Sequence, residues 1–131
     1  MKDKNILIDT SVWIDYFNGT STALSKQVDA ALNNFEVHVP RIVIAELIQG
    51  AKSEKEVSVI EDFISAFNIV DQQPNTWIDA GRLSFSLKKK GITVNLTDCY
   101  IAFIAFENAC RIFTINKHFK DIKKMLKIEL V

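Results

Sequence analysis

The sequence predicts a three-layer α/β/α domain around a central parallel sheet of about five strands, and three features predict it. Short apolar, β-rich runs recur along the chain without polar alternation, as they do in strands buried on both faces. Between them lie segments whose apolar residues repeat with helical spacing. Strand and helix alternate throughout, which implies right-handed crossovers and a ligand site beyond the carboxyl ends of the strands.

The first strand, at 6–8 (ILI), runs directly into Asp9 and a helix expected to begin near Ser11. The second, at 37–39 (VHV), is followed after Pro40 by a short helix in "RIVIAELIQG", where Val43, Ile44, Leu47 and Ile48 surround Glu46. A stripe of Val57, Ile60, Phe63, Ile64 and Phe67 leads into the third strand, at 67–70 (FNIV). A second stripe, Trp77, Ala80, Leu83 and Leu87, ends on Lys88–Lys90 before Gly91, which reads as a solvated helix C-terminus whose lysines complement the dipole. A polar loop with Thr93, Asn95 and Thr97 then opens into a strongly apolar helix that carries Asp98 in its first turn and extends from Cys99 to Cys110. Strands at 112–115 (IFTI) and 128–131 (IELV) complete the sheet.

A chain of 131 residues, 48% hydrophobic and 24% charged, is expected to form one domain over 1–131 with a proper core. Its net charge of +0 excludes a protein that coats nucleic acid by bulk electrostatics, so any polyanion site must be local. One such place is the C-terminal end, where Arg111, Lys117, Lys120, Lys123, Lys124 and Lys127 face only Asp121 and Glu129. The two cysteines, about 16 Å apart if one helix carries both at ~1.5 Å per residue, are too distant to bridge and read as buried, reduced thiols. No apolar run is long enough to span a bilayer and no cleavable signal precedes the first strand, so the expectation is a cytoplasmic protein without a membrane partner.

The candidate chemistry lies where acids and amides follow strand ends or open helices. Asp9 stands between strand and helix, where an N-cap role competes with a functional one. Glu46 sits among apolar residues, and a buried carboxylate is costly unless compensated, although an amphipathic helix can leave it one solvent edge. Asp98 complements the dipole of its helix but that explains one acid, not three. Thr114, Asn116, Lys117 and His118 follow the strand at 112–115 and could face the same cleft. Clustered carboxylates repel unless a cation neutralises them, and oxygen ligands without Cys/His spacing suit Mg²⁺, with Mn²⁺ as the alternative. His38 reads as a core or strand-end residue, and His118 as part of the basic surface.

These segments, "ILIDTSVWIDYF" at 6–17, "VPRIVIAELIQGA" at 39–51, "GITVNLTDCYIAFIAF" at 91–106 and "IFTINKHFKDI" at 112–122, together resemble the PIN-domain family, specifically the VapC-type toxins of toxin–antitoxin systems. The resemblance implies a PIN-like fold with metal-binding acids at Asp9, Glu46 and Asp98. It also implies hydroxyl support from Thr10 or Ser11, with Thr114 as a further hydroxyl and Asn116 at a fourth position that is often Asp. The implied activity is Mg²⁺-dependent RNA cleavage leaving 5′-phosphate and 3′-hydroxyl ends, with Lys117, His118 and Lys120 meeting the RNA. The implied partners are a VapB-like antitoxin, whose tail enters a groove that Trp13, Tyr16 and Phe17 could line, and a second copy of the chain in a homodimer.

Three rival readings compete. A haloacid-dehalogenase-like phosphatase needs a second Asp two residues after Asp9, where Ser11 stands. A receiver domain would use Asp71 and Lys117 but leaves Glu46 and Asp98 unexplained. A PIN-like module without catalysis, gripping RNA or a partner through the basic end, is kept open by Asn116.

Overall fold

The computed structural model describes residues 4–131. Its elements are β1 (Asn5–Ile8), α1 (Thr10–Asn18), α2 (Thr22–Asn34), β2 (Glu36–Pro40), α3 (Arg41–Gln49), α4 (Glu54–Ile64), β3 (Asn68–Val70), α5 (Thr76–Lys89), α6 (Leu96–Glu107), β4 (Arg111–Phe113) and α7 (His118–Lys123). The strands form one sheet in the order β3-β2-β1-β4, and every pairing is parallel. Leu7 lies opposite His38 and Ile112, which sets β1 at the centre.

The chain moves from β1 through β2 to β3 in one direction and then crosses back over the whole sheet to β4. Right-handed crossovers that reverse direction place their helices on opposite faces. Helix contacts agree: α1 packs on α2 and α3, and α3 on α4, while α5 and α7 pack on α6. This is the expected three-layer architecture. The reversal point lies between β1 and β4, and the carboxyl ends of these two strands are where an open α/β sheet places its ligand crevice.

Burial explains why the elements form. Ile6, Leu7, Ile8, Val37, Val39, Ile112 and Phe113 bury the sheet on both faces. Trp13 is fully buried beneath α1, with Phe17, Phe63 and Phe67 rings at 5.9, 5.9 and 6.0 Å. Among the described residues its Nε1 has no hydrogen-bond partner, nor does either ring nitrogen of the half-buried His38. Burial lowers the His38 pKa against the opposing pull of Glu36. Helix α1 stops at Gly19, whose φ of 64° lets its N–H turn back to Asp15 and Tyr16 carbonyls.

The structure departs from the sequence expectations in five places. The last predicted strand reduces to a single bridge between Ile112 and Leu130, leaving a four-stranded sheet. The strand predicted to 115 ends at Phe113, because Thr114 and Ile115 turn aside to bond the residues after β1. Phe67 lies beyond α4, although its ring still joins the aromatic cluster. Trp77 is 43% exposed, since Thr76 takes the buried place in the α5 stripe and the indole stacks instead on Tyr100 at 3.8 Å. Cys110 follows α6 instead of ending it; both thiols are free and buried, and burial pushes Cys99 up to about 11 and Cys110 up to about 12.

Candidate active site

The crevice at the reversal point is built by four chain segments. The backbone N–H of Asp9 bonds the Phe113 carbonyl at 3.1 Å, so the pairing of β1 with β4 continues one residue past β1 and fixes the first acid against the exit of β4. Asp9 is 3% exposed and caps α1. Ser11 Oγ donates to its Oδ1 at 2.6 Å, the Val12 N–H reaches the same oxygen at 3.3 Å, and Thr114 Oγ1 donates to Oδ2 at 2.6 Å. Asp9 therefore fills the N-cap role with one oxygen while Thr114 holds the other. Burial raises its pKa, and these hydrogen bonds oppose the rise.

Thr114 is the hinge of the arrangement. Its hydroxyl also accepts the Asn116 N–H at 2.9 Å, and the Asn116 amide Nδ2 donates to Asp98 Oδ2 at 3.1 Å. The Asn116 Oδ1 accepts the His118 N–H at 3.0 Å, which fixes the amide orientation because that N–H needs an acceptor. Asn116 thus presents a donor to the acid, and its oxygen is already engaged. In this arrangement Asn116 holds Asp98 through its amide N–H. His118 Nδ1 lies 3.8 Å from Asp98 Oδ2.

Asp98, in the first turn of α6, is raised in pKa chiefly by burial. Asp9 and Glu46 push it further, while Asn116 and His118 oppose them. That coupling places all three acids in one electrostatic neighbourhood. Glu46 is half-buried on α3 and accepts from Thr10 Oγ1 at 2.6 Å. Thr10 and Ser11 therefore divide the support, one for each acid. As the side chains stand, no group of three Asp, Glu, His or Cys residues among those described is close enough to enclose a metal ion. The donor chemistry still fits a hard cation: the acids offer oxygen alone, and no Lys or Arg among the described residues forms a salt bridge with any of them.

Lys117 and Lys120 are exposed at the start of α7, beside His118. The aromatic trio on α1 divides. Trp13 is core and lines no groove. Tyr16 donates to Asp29 on α2 at 2.8 Å, and Phe17 lines a groove of about 440 Å³ with Ile14, Leu47, Val59 and Ile60. Asp71 and Lys117, the pair a receiver domain requires, follow strands at opposite edges of the sheet, and Asp71 is held at 2.7 Å by Arg41. Sheet order removes that reading, which the order of residues along the chain leaves open.

Among known proteins, a family profile described as PIN domain matches residues 6–125. "Ribonuclease VapC1" of Methanocaldococcus jannaschii is 32% identical over 129 residues, covering 97% of this chain and 88% of that protein. "Ribonuclease VapC2" of Rickettsia felis is 26% identical over 125 residues, with 92% and 93% covered. The toxin–antitoxin complex VapBC2 of Rickettsia felis, bound to a promoter DNA fragment, contains a similar fold at TM-score 0.77 and 21% identity, over 97% of both chains. VapBC-1 of nontypeable Haemophilus influenzae matches at TM-score 0.76 and 21% identity, over 97% and 96%.

Proposed function

The chain belongs to the PIN-domain family, and from that premise we propose that it is a metal-dependent endoribonuclease acting as the toxin of a type II toxin–antitoxin pair. The observation that carries the reading is the link from Asp9 through Thr114 and Asn116 to Asp98, which ties acids from two distant elements to one crevice. The names of the relatives support ribonuclease activity, and the complexes in which similar folds occur support a VapB-like antitoxin. The groove beside Phe17 and Leu47 is an apolar surface that such an antitoxin could occupy. A homodimer is part of the same proposal.

Asp9, Glu46 and Asp98 would hold Mg²⁺, with Mn²⁺ as a substitute. When bound, the ion supplies a lowered pKa for water and neutralises charge developing on the phosphate. The protein's own contribution is orientation. Ser11 and Thr114 fix both oxygens of Asp9, Thr10 steadies Glu46, and Asn116 aims Asp98. Lys117, His118 and Lys120 would hold phosphates of the RNA strand beside the cleaved bond. Water attacks the phosphorus and the 3′ oxygen leaves, so a 5′-phosphate and a 3′-hydroxyl result.

The test is cleavage of a mixed RNA pool with and without Mg²⁺. Mg²⁺-dependent cleavage that disappears in Asp9→Ala supports the reading. RNA binding with no cleavage under any divalent ion would transfer the assignment to a non-catalytic PIN-like module, as the engaged oxygen of Asn116 would allow.

A further inference from the structure

The basic run Lys88–Lys90 closes α5 as the exposed helix terminus its sequence suggests, and the fold sets that terminus beside the start of α6. Helices α5 and α6 form the most extensive helix contact of the molecule, and they run antiparallel. At one end, buried Thr76 at the start of α5 donates to both carboxylate oxygens of Glu107 at the end of α6, at 2.9 and 2.7 Å. At the other end the chain reverses tightly: Gly91 adopts φ 81°, and the Ile92 N–H bonds the Leu87 carbonyl at 3.0 Å. The end of α5 therefore meets the start of α6, the same end that carries Asn95 and Asp98.

All three lysines are exposed, and among the described residues none has a carboxylate within salt-bridge distance. Dipole complementarity accounts for Lys88 and Lys89 in the last turn but not for Lys90 beyond it. Lys89 is partly committed elsewhere, since its ammonium lies 5.4 Å over the Phe85 ring. Helix α7 also packs on α6 and brings Lys117, His118 and Lys120 to that end, with His118 directly beside Asp98. Two basic groups, from elements about thirty residues apart, thus adjoin the start of one helix in a chain with no net charge.

We propose that Lys88 and Lys90 bind phosphates of the single-stranded RNA substrate, extending the basic track of α7 across the start of α6. The inference rests on the ribonuclease reading. It assigns the chain beyond the cleaved bond to the α5–α6 turn and gives the site contacts that are independent of base sequence.

The test is the salt dependence of binding. The full chain is titrated in EDTA, which prevents cleavage, against a fluorescein-labelled sixteen-nucleotide RNA between 50 and 200 mM NaCl. Each lysine that neutralises a phosphate of a single strand adds about 0.7 to the log–log slope, so Lys88→Ala/Lys90→Ala is expected to reduce it by about 1.4. Kd at intermediate salt should rise roughly tenfold, while Lys88→Arg/Lys90→Arg restores both values and Lys26→Ala on α2 changes neither. An alanine double variant that keeps the parent's slope and Kd overturns the proposal and leaves the ribonuclease reading intact. A parent that neither binds RNA in EDTA nor cleaves it with Mg²⁺ overturns both.

Discussion

At the scale of single residues, the crevice stores two carboxylates whose charged forms are disfavoured. Burial raises both Asp9 and Asp98 above the ordinary 3.8. The native state therefore binds their protons more tightly than the unfolded chain does. The stability this gives is fully present below the unfolded value and is lost as pH rises through the raised native values. In EDTA the melting temperature should accordingly fall as pH rises from about 4 towards neutrality, and Asp98→Asn should flatten that fall. A metal-free profile that climbs over this range would contradict the reading of the acids. With Mg²⁺ present, Asp98→Asn keeps its bond from Asn116 in shape but loses a ligand charge. RNA cleavage is expected to drop roughly a hundredfold or more, with far-UV dichroism unchanged. Asn116→Asp exchanges a donor for a like charge beside Asp98. It should lower the melting temperature in EDTA and tighten Mg²⁺ binding, as read by calorimetric titration.

At the scale of elements, the most consequential junction is the one that sequence periodicity does not mark. Thr76 begins α5 at 0% exposure and bonds Glu107, so it ties the start of α5 to the end of α6, the helix that carries Asp98. Thr76→Val keeps the shape but leaves the carboxylate without its buried donor. A destabilisation of about 1–3 kcal/mol is expected in urea unfolding, with less RNA cleavage than the residual stability alone explains. The helices themselves were readable, because apolar stripes at 3.6-residue spacing record which face is buried. The ends were less so. Trp77 fits the stripe by hydrophobicity, yet stacking on Tyr100 keeps it at the surface. Thr114 fits a strand by composition, yet it stands past the end of β4 and gives its hydroxyl to Asp9.

At the scale of the whole molecule, the strand order β3-β2-β1-β4 makes the site, because it brings the exits of β1 and β4 side by side although their sequences lie about a hundred residues apart. Binding a cation only in the folded state should stabilise this arrangement. At an Mg²⁺ concentration a hundredfold above Kd the gain is about 2.7 kcal/mol, so chelation should lower the melting temperature by several degrees. A rise on chelation would mean that the acids are not relieved by a cation.

The sequence by itself determined the alternation of elements, the family resemblance and the acids and hydroxyls at the mouths of the strands, since these depend on local spacing and side-chain chemistry. Tertiary structure alone decided which strand ends are neighbours, that Asp71 and Lys117 are separated by the sheet, and that Asn116 donates to Asp98 with its oxygen engaged. It also decided that the basic turn after α5 shares an end with the start of α6. Hydrophobic periodicity is written into each segment by its neighbours in the chain, whereas strand order, helix pairing and hydrogen-bond direction are fixed by partners that the chain brings together only on folding.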